Sequence, residues 1–221
     1  MPFLNKLGYL VFVSVSFSLL GCGAQQPFTS VDRNTYKTVA FKPEIKAPEH
    51  YVYHDTTGKV SRGMSVYGGL IGAALGAAIG AASEAPGFHR FDAAASKNPI
   101  DIRSLMRRHT EAALKISPMR LVSTDADTIF ELQIHSYGVG PINGRDLGAV
   151  IAARGTLLGR DGQKLWSKDE WATSNTATSL ENLEQNPKLW PQMANEAAEA
   201  LAKKLVLYSE PSKRSAAEPL M

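Results

Sequence analysis

The sequence predicts an α+β fold, a small and mostly antiparallel sheet packed by two helices. Three observations predict it. Residues 100–116 repeat apolar side chains at helical spacing. Residues 127–173 alternate apolar and polar side chains in segments joined by a short Asp-Gly turn. Residues 186–208 return to helical spacing. Upstream of this block the chain reads as a signal peptide (1–21), an extended tether (22–65), a Gly/Ala-rich helix (66–82) and a linker (83–99), and residues 209–221 read as a solvated tail.

In the first helical segment Asn98 is placed to cap and Pro99 fits the first turn. Ile102, Leu105, Met106, His109, Ala113 and Ile116 share one face, while Arg103, Arg107, Arg108 and Glu111 fall on a solvated one. Pro118 closes the helix, and a short strand is expected near 120–123. Phe130, Leu132 and Ile134 then alternate with Glu131, Gln133 and His135, as in a half-buried strand. Gly138, Gly140, Pro141 and Asn143-Gly144 read as a turn. A second strand covers 146–158, Arg160-Asp161-Gly162 turns the chain, and a third covers 164–173, an antiparallel hairpin. Trp166 and Trp171 are five apart and so on opposite faces, one of them facing the core. Asn186-Pro187 opens the last helix, with Met193, Ala197, Ala200, Leu201, Leu205 and Tyr208 as its apolar stripe.

Composition limits the function classes. A chain of 221 residues has room for one domain or two small ones, and 44% apolar residues suit a packed core. A net charge of +3 is too mild for a nucleic-acid partner. One cysteine excludes an intramolecular disulfide.

That cysteine has a telling position. Lys6 lies in a short polar start, residues 7–20 are apolar with serines as polar interruptions, and Leu19-Leu20-Gly21-Cys22 follows. This is the layout of a secretory signal. The apolar run falls short of the roughly 20 residues of a spanning helix. The Leu-Leu-Gly-Cys end resembles the bacterial lipobox. The resemblance implies cleavage between Gly21 and Cys22, diacylglycerol on the Cys22 sulfur and acylation of the new amine. A thiolate suits thioether formation, and two or more acyl chains, at about 0.8 kcal/mol per buried methylene, give stable anchoring. Gly rather than Asp at position 23 favours the outer membrane by the same resemblance, with the domain facing the periplasm. No cofactor is expected beyond this covalent lipid. The expected partners are membrane lipid, an envelope protein and further copies of the chain.

Within the tether, Pro27, Pro43 and Pro48 punctuate two β-like pieces, Thr38-Val39-Ala40-Phe41 and Tyr51-Val52-Tyr53. Such a stretch lets a domain stand off the bilayer or adds an edge strand. In residues 66–82, Gly68, Gly72, Gly76 and Gly80 recur every four residues, one stripe of a helix. Each Gly costs about 1 kcal/mol relative to Ala in a helix, so four need a reason, and close helix–helix approach is one. The segment resembles glycine zippers of bacterial envelope lipoproteins and surface antigens, which implies membrane insertion or self-association. A buried Ala/Gly-rich helix or a flexible connector is the alternative.

The run ADTIFELQIHSYG and the hairpin ending GRDGQKLWSKD resemble periplasmic domains of the curli-secretion lipoprotein, of activators of penicillin-binding proteins and of auxiliary lipoproteins in lipid transport. The resemblance covers about residues 100–208 and implies a small sheet with two helices. Catalytic signals are missing. There is no Gly-x-Ser-x-Gly elbow, no phosphate loop and no His-Glu-x-x-His pair. His50, His54 and Asp55 make at most a weak surface metal cluster, and no metal site is expected. Asp125 and Asp127 fit turn capping. The expectation is a non-enzymatic accessory or scaffold subunit of a secretion, lipid-transport or cell-wall complex. The alternatives are a self-assembling pore or scaffold built on the glycine stripe, a ligand-binding domain, and an enzyme with a pocket of Glu131, His135, Asp146 and Arg154.

Overall fold

The computed structural model describes residues 35–53, 87–143 and 146–207. The expected signal peptide, the Gly21-Cys22 lipid site, the stripe Gly68, Gly72, Gly76 and Gly80, and the tail lie outside the described residues. In chain order the elements are β1 (Thr38–Phe41), β2 (Val52–Tyr53), α1 (Phe88–Ala95), α2 (Ile102–Lys115), β3 (Arg120–Leu121), β4 (Thr128–Asn143), β5 (Asp146–Gly159), β6 (Lys164–Thr173), α3 (Leu180–Gln185) and α4 (Leu189–Val206). The class is α+β, as expected. The long ladders β4–β5 and β5–β6 are antiparallel. The sheet is nevertheless mixed, because β1 runs parallel to both β3 and β4, and β2 runs parallel to β4. Its order is β3-β1-β4-β5-β6.

The stretch read as an extended tether or an added edge strand lies, from Thr38 to Tyr53, in and along the sheet. Residues 38–53 run along one side of β4, where Val39 pairs with Thr128, Phe41 with Phe130, Lys46 with Gln133 and Val52 with Gly138. Backbone bonds continue between the two strands, from Lys42 N to Phe130 O (2.9 Å) and from Ile134 N to Lys46 O (2.8 Å). β1 is therefore interior, not an edge strand, and Val39 is fully buried. A carboxylate fixes its start. Oδ2 of Asp127 accepts from the amides of Lys37 and Thr38 (both 3.0 Å) and from the Thr38 hydroxyl (2.9 Å), and the Asp127 amide donates back to that hydroxyl (2.8 Å). Asp127 caps, but it caps a strand 89 residues away in sequence rather than its own turn.

The expected linker 83–99 contains α1, whose Phe91, Ala94 and Ala95 are buried. The Phe91 ring meets Trp190 edge-on (5.2 Å, 88°) and Tyr51 likewise (5.1 Å, 73°). Aromatic pairs of this kind each contribute about 0.5–1.5 kcal/mol beyond area burial. The Tyr51 hydroxyl donates to Asp92 on α1, and burial together with that carboxylate pushes the phenol well above its usual range. At Gly87 an added Cβ would collide with the Tyr53 ring. Residues 53 and 87 therefore touch.

The cap of α2 is Asp101, not Asn98. Its Oδ1 accepts from the amides of Arg103 (3.0 Å) and Ser104 (3.1 Å), two of the orphan donors of the first turn. The buried stripe is Ile102, Met106, Thr110, Ala113 and Leu114, rotated from the expected one, and Ile116 is 69% exposed. The arginines reach protein rather than only water: Arg103 donates to Ala47 O (3.2 Å), Arg107 to Pro43 O and Arg108 to Asn195 Oδ1 (2.7 Å). The first two hold the β1–β2 connection against α2.

β4 continues through Gly138, Gly140 and Pro141, where a turn was expected. Gly138 is required there for space, since a Cβ would overlap the Val52 backbone of β2. The register shift at Pro141/Asn143 accommodates the proline, which cannot donate to a ladder. Downstream, β5, the tight turn with Gly162 at φ 80° and β6 follow the sequence expectation. The helix α3, capped by Ser179, was not anticipated. The core lies between the sheet and α4 and α2, and joins Phe130, Leu157 and Trp166 to Trp190, Met193 and Leu201. Gly155 makes room for it: a Cβ there would lie 2.8 Å from Phe130 Cζ and 3.2 Å from Trp166 Cζ3.

The hydrogen bonds from Thr38 and Lys37 hold the Asp127 carboxyl below its usual pKa. A depressed folded-state pKa adds stability at neutral pH that is lost as pH falls through that pKa. Asp127→Asn should therefore unfold at lower urea than wild type at pH 7, and the gap should close on acidification. A gap that stays constant with pH would contradict the clamp.

Candidate functional site

The polar side chains of β4, β5 and β6 gather on the sheet face opposite the helices. Strand alternation puts Glu131, Gln133 and His135 there from β4, because Phe130, Leu132 and Ile134 are turned into the core. Cross-strand pairing sets Glu131 opposite Thr156 and Gln133 opposite Arg154, and then Arg154 opposite Asp169 and Thr156 opposite Ser167. Lys42, Glu44 and Lys46 complete the group from the segment after β1. Together Lys42, Glu44, Lys46, Glu131, Gln133, Arg154 and Thr156 line a shallow cleft of about 80 Å³.

The carboxylates are held by cations of the same face. Lys42 Nζ lies 2.6 Å from Glu131 Oε1, and that carboxylate raises the ammonium's pKa. Arg154 donates in a fork to Asp169, Nε to Oδ1 at 2.9 Å and Nη2 to Oδ2 at 2.8 Å. The Asp169 carboxylate raises the guanidinium's pKa, keeping it firmly charged. Nε2 of His135 sits 3.0 Å from Asp169 Oδ1, and both side chains are about 15% exposed, so this part of the network is largely withdrawn from water. Thr156 and Ser167 hydroxyls are 3.3 Å apart. A face of this kind offers polar contact points of fixed geometry, three strands wide, around a cleft too small to enclose more than a few atoms.

Of the four residues expected to converge in an enzyme pocket, Glu131 and Arg154 share the cleft, and His135 joins Arg154 through Asp169. Asp146 does not join them. It begins β5, eight residues from Arg154, or about 26 Å at the rise of a strand. Asp169 and Lys42 were missed by sequence reasoning. Counting outward from a two-residue Asp161-Gly162 loop already sets position 154 opposite 169. The actual loop is longer, closed by Gly159 N to Gln163 O (2.8 Å), and the bulge at Leu157/Leu158 restores that register. Lys42 had no such signal.

The remaining candidates are dispersed. His109 is half-buried, with Nε2 3.0 Å from Asn195 Oδ1, and acts as a packed histidine. His50 is exposed and His54 lies outside the described residues. Among the described residues no three His, Cys, Asp or Glu gather as metal ligands, and no helix is long and apolar enough to cross a membrane. Trp166 is buried, and Trp171 on the other face is partly covered by Lys204, whose Nζ lies 5.3 Å from the ring centroid.

No protein-family model matches the chain, and no curated protein matches it. Solved structures resemble parts of it at low identity. Protein XCC0632 of Xanthomonas campestris is 12% identical with a TM-score of 0.33, over 45% of this chain, which spans 58% of that protein's length. A PelC dodecamer of Paraburkholderia phytofirmans is 13% identical with a TM-score of 0.30, over 77% of this chain and 84% of that one. A minor lipoprotein of Acinetobacter baumannii is 11% identical with a TM-score of 0.33, over 77% and 92% respectively.

Asp169→Asn keeps one carbonyl acceptor but removes the charge and the second acceptor oxygen of the fork to Arg154, beside a largely buried histidine. Asp169→Asn should cost about 1–2 kcal/mol in chemical denaturation, the value for hydrogen bonds to a charged group discounted for the partly exposed Arg154. A loss below measurement error would show that the network carries no stability.

Proposed function

We propose that this chain is a lipoprotein of the bacterial envelope, held by lipid on Cys22, whose α+β domain serves as a non-enzymatic accessory or scaffold subunit of a secretion, lipid-transport or cell-wall complex. The observation that carries the reading is Leu19-Leu20-Gly21-Cys22 at the end of an apolar run too short to span a bilayer. Gly23 favours the outer membrane and a domain facing the periplasm. The domain supports the reading in two ways. Its polar face has carboxylates already engaged by neighbouring cations, which suits docking better than proton transfer. Its ordered structure also begins far upstream of position 100. With β1 in the sheet, only residues 23–34 separate Cys22 from the described domain, and thirteen residue steps span at most about 45 Å. The domain then works close to the lipid surface that holds it.

A self-assembling role for Gly68, Gly72, Gly76 and Gly80 is the second reading. Their spacing favours it, because four small residues recurring every fourth position form one stripe of a helix and let backbones approach closely. Both readings keep lipid as the one group attached to the chain.

The anchor has a direct test. In cells fed a clickable fatty acid, Cys22→Ala should lose all labelling and accumulate as uncleaved precursor. Labelling equal to wild type would overturn the lipoprotein reading.

A further inference from the structure

β6 ends the sheet, and among the described residues no strand lies along its outer side. A ten-residue strand at an edge is a template for another extended chain. We propose that its occupant is β6 of a second copy, paired antiparallel about a twofold axis through Asp169 to give one continuous sheet across a dimer.

The charge pattern selects this register. An axis perpendicular to the sheet keeps the helix-bearing faces together, so residues directly opposed across the interface lie on the same face of their strands. An axis through Lys168 would set that cation against itself, and one through Glu170 would oppose two carboxylates. The axis through Asp169 sets Lys168 opposite Glu170 of the other copy, twice. Opposite charges across a strand pair stabilise it, and like charges facing each other do the reverse. Within one chain Lys168 Nζ is already 2.8 Å from Glu170 Oε1, so the interface completes a four-charge array.

The same register leaves one like-charge contact, Asp169 against its own copy. That carboxylate is turned inward, where the fork from Arg154 neutralises it and His135 lies against it. The network described above thus removes the single repulsion that the pairing would create. On the polar face the same register sets Trp171 opposite Ser167 of the other copy. Lys204 Nζ donates to Trp171 O at 3.0 Å, which marks the odd-numbered residues as those directed outward, and it swings aside as the second strand docks.

The test uses the chain from position 22 onward with Cys22→Ser, so that no lipid brings copies together, in sedimentation equilibrium. Wild type should dimerise. Lys168→Glu and Glu170→Lys should each weaken dimerisation roughly tenfold or more, about 1.4 kcal/mol. An equimolar mixture of the two single variants should dimerise again, because each then opposes the other's charges. Neither variant regains its internal ion pair on mixing, so recovery cannot come from repair of the fold. A monomeric wild type, single variants that dimerise like wild type, or a mixture that stays monomeric would each overturn the proposal. If a variant fails to fold, carbodiimide crosslinking of mixed 14N and 15N wild-type chains decides. A mixed-isotope Lys168–Glu170 peptide supports the pairing, and its absence overturns it.

Discussion

The parallel insertion of β1 between β3 and β4 is the constraint on which the rest of the domain depends. Parallel neighbours cannot be joined by a tight turn, so a long stretch of chain must lie between them. Here α1 and α2 fill part of that crossing and cover the sheet. The strand has few hydrogen bonds of its own and needs its partners already in place, which is why Asp127, beside the start of β4, clamps Lys37 and Thr38 so closely. Residues 42–53 then follow β4 to its far end, where Tyr51 joins Phe91, Tyr137 and Trp190. One N-terminal ribbon thereby links both ends of β4 to α1 and α2.

This arrangement divides the sheet into unlike parts. One face is closed by α2 and α4 over Phe130, Leu157 and Trp166, and Gly155 lets the two rings approach across the strand between them. The opposite face carries paired charges. One edge is occupied by β3, and at the other, β6, Lys204 of α4 reaches the Trp171 carbonyl. A lipid anchor on Cys22, sixteen residues before β1, would keep the domain near the surface that holds it, so an edge and a polar face of fixed geometry become features of a tethered body.

Local patterns were legible wherever the partner was near in sequence. The hairpin of β5 and β6 follows from alternation and from Arg160-Asp161-Gly162, and the last helix follows from its apolar spacing. Glu131 and Arg154 could be placed on one face from the pleat alone. The failures involve distant partners. Four residues, Thr38–Phe41, carry no local sign that they are central, because their neighbours lie 82 and 89 positions downstream. The eight residues of α1 are too few for a periodic signal, and its orientation is set by Tyr51 and Trp190. Gly138 reads as a turn residue in isolation, and only the Val52 backbone against it explains a glycine inside a strand. Lys42 belongs to the charged face for the same reason that β1 belongs to the sheet, and neither can be read without the other.

The central claim is that residues 38–53 are part of the folded unit rather than a leash to it. Native-state hydrogen exchange on the full chain addresses this most directly, since it reads the opening free energy of each backbone amide. The account predicts that the amides of Val39 and Lys42 exchange as slowly as those of Phe130 and Ile134, through the same cooperative opening. Fast exchange across 38–53 while β4, β5 and β6 stay protected would contradict it.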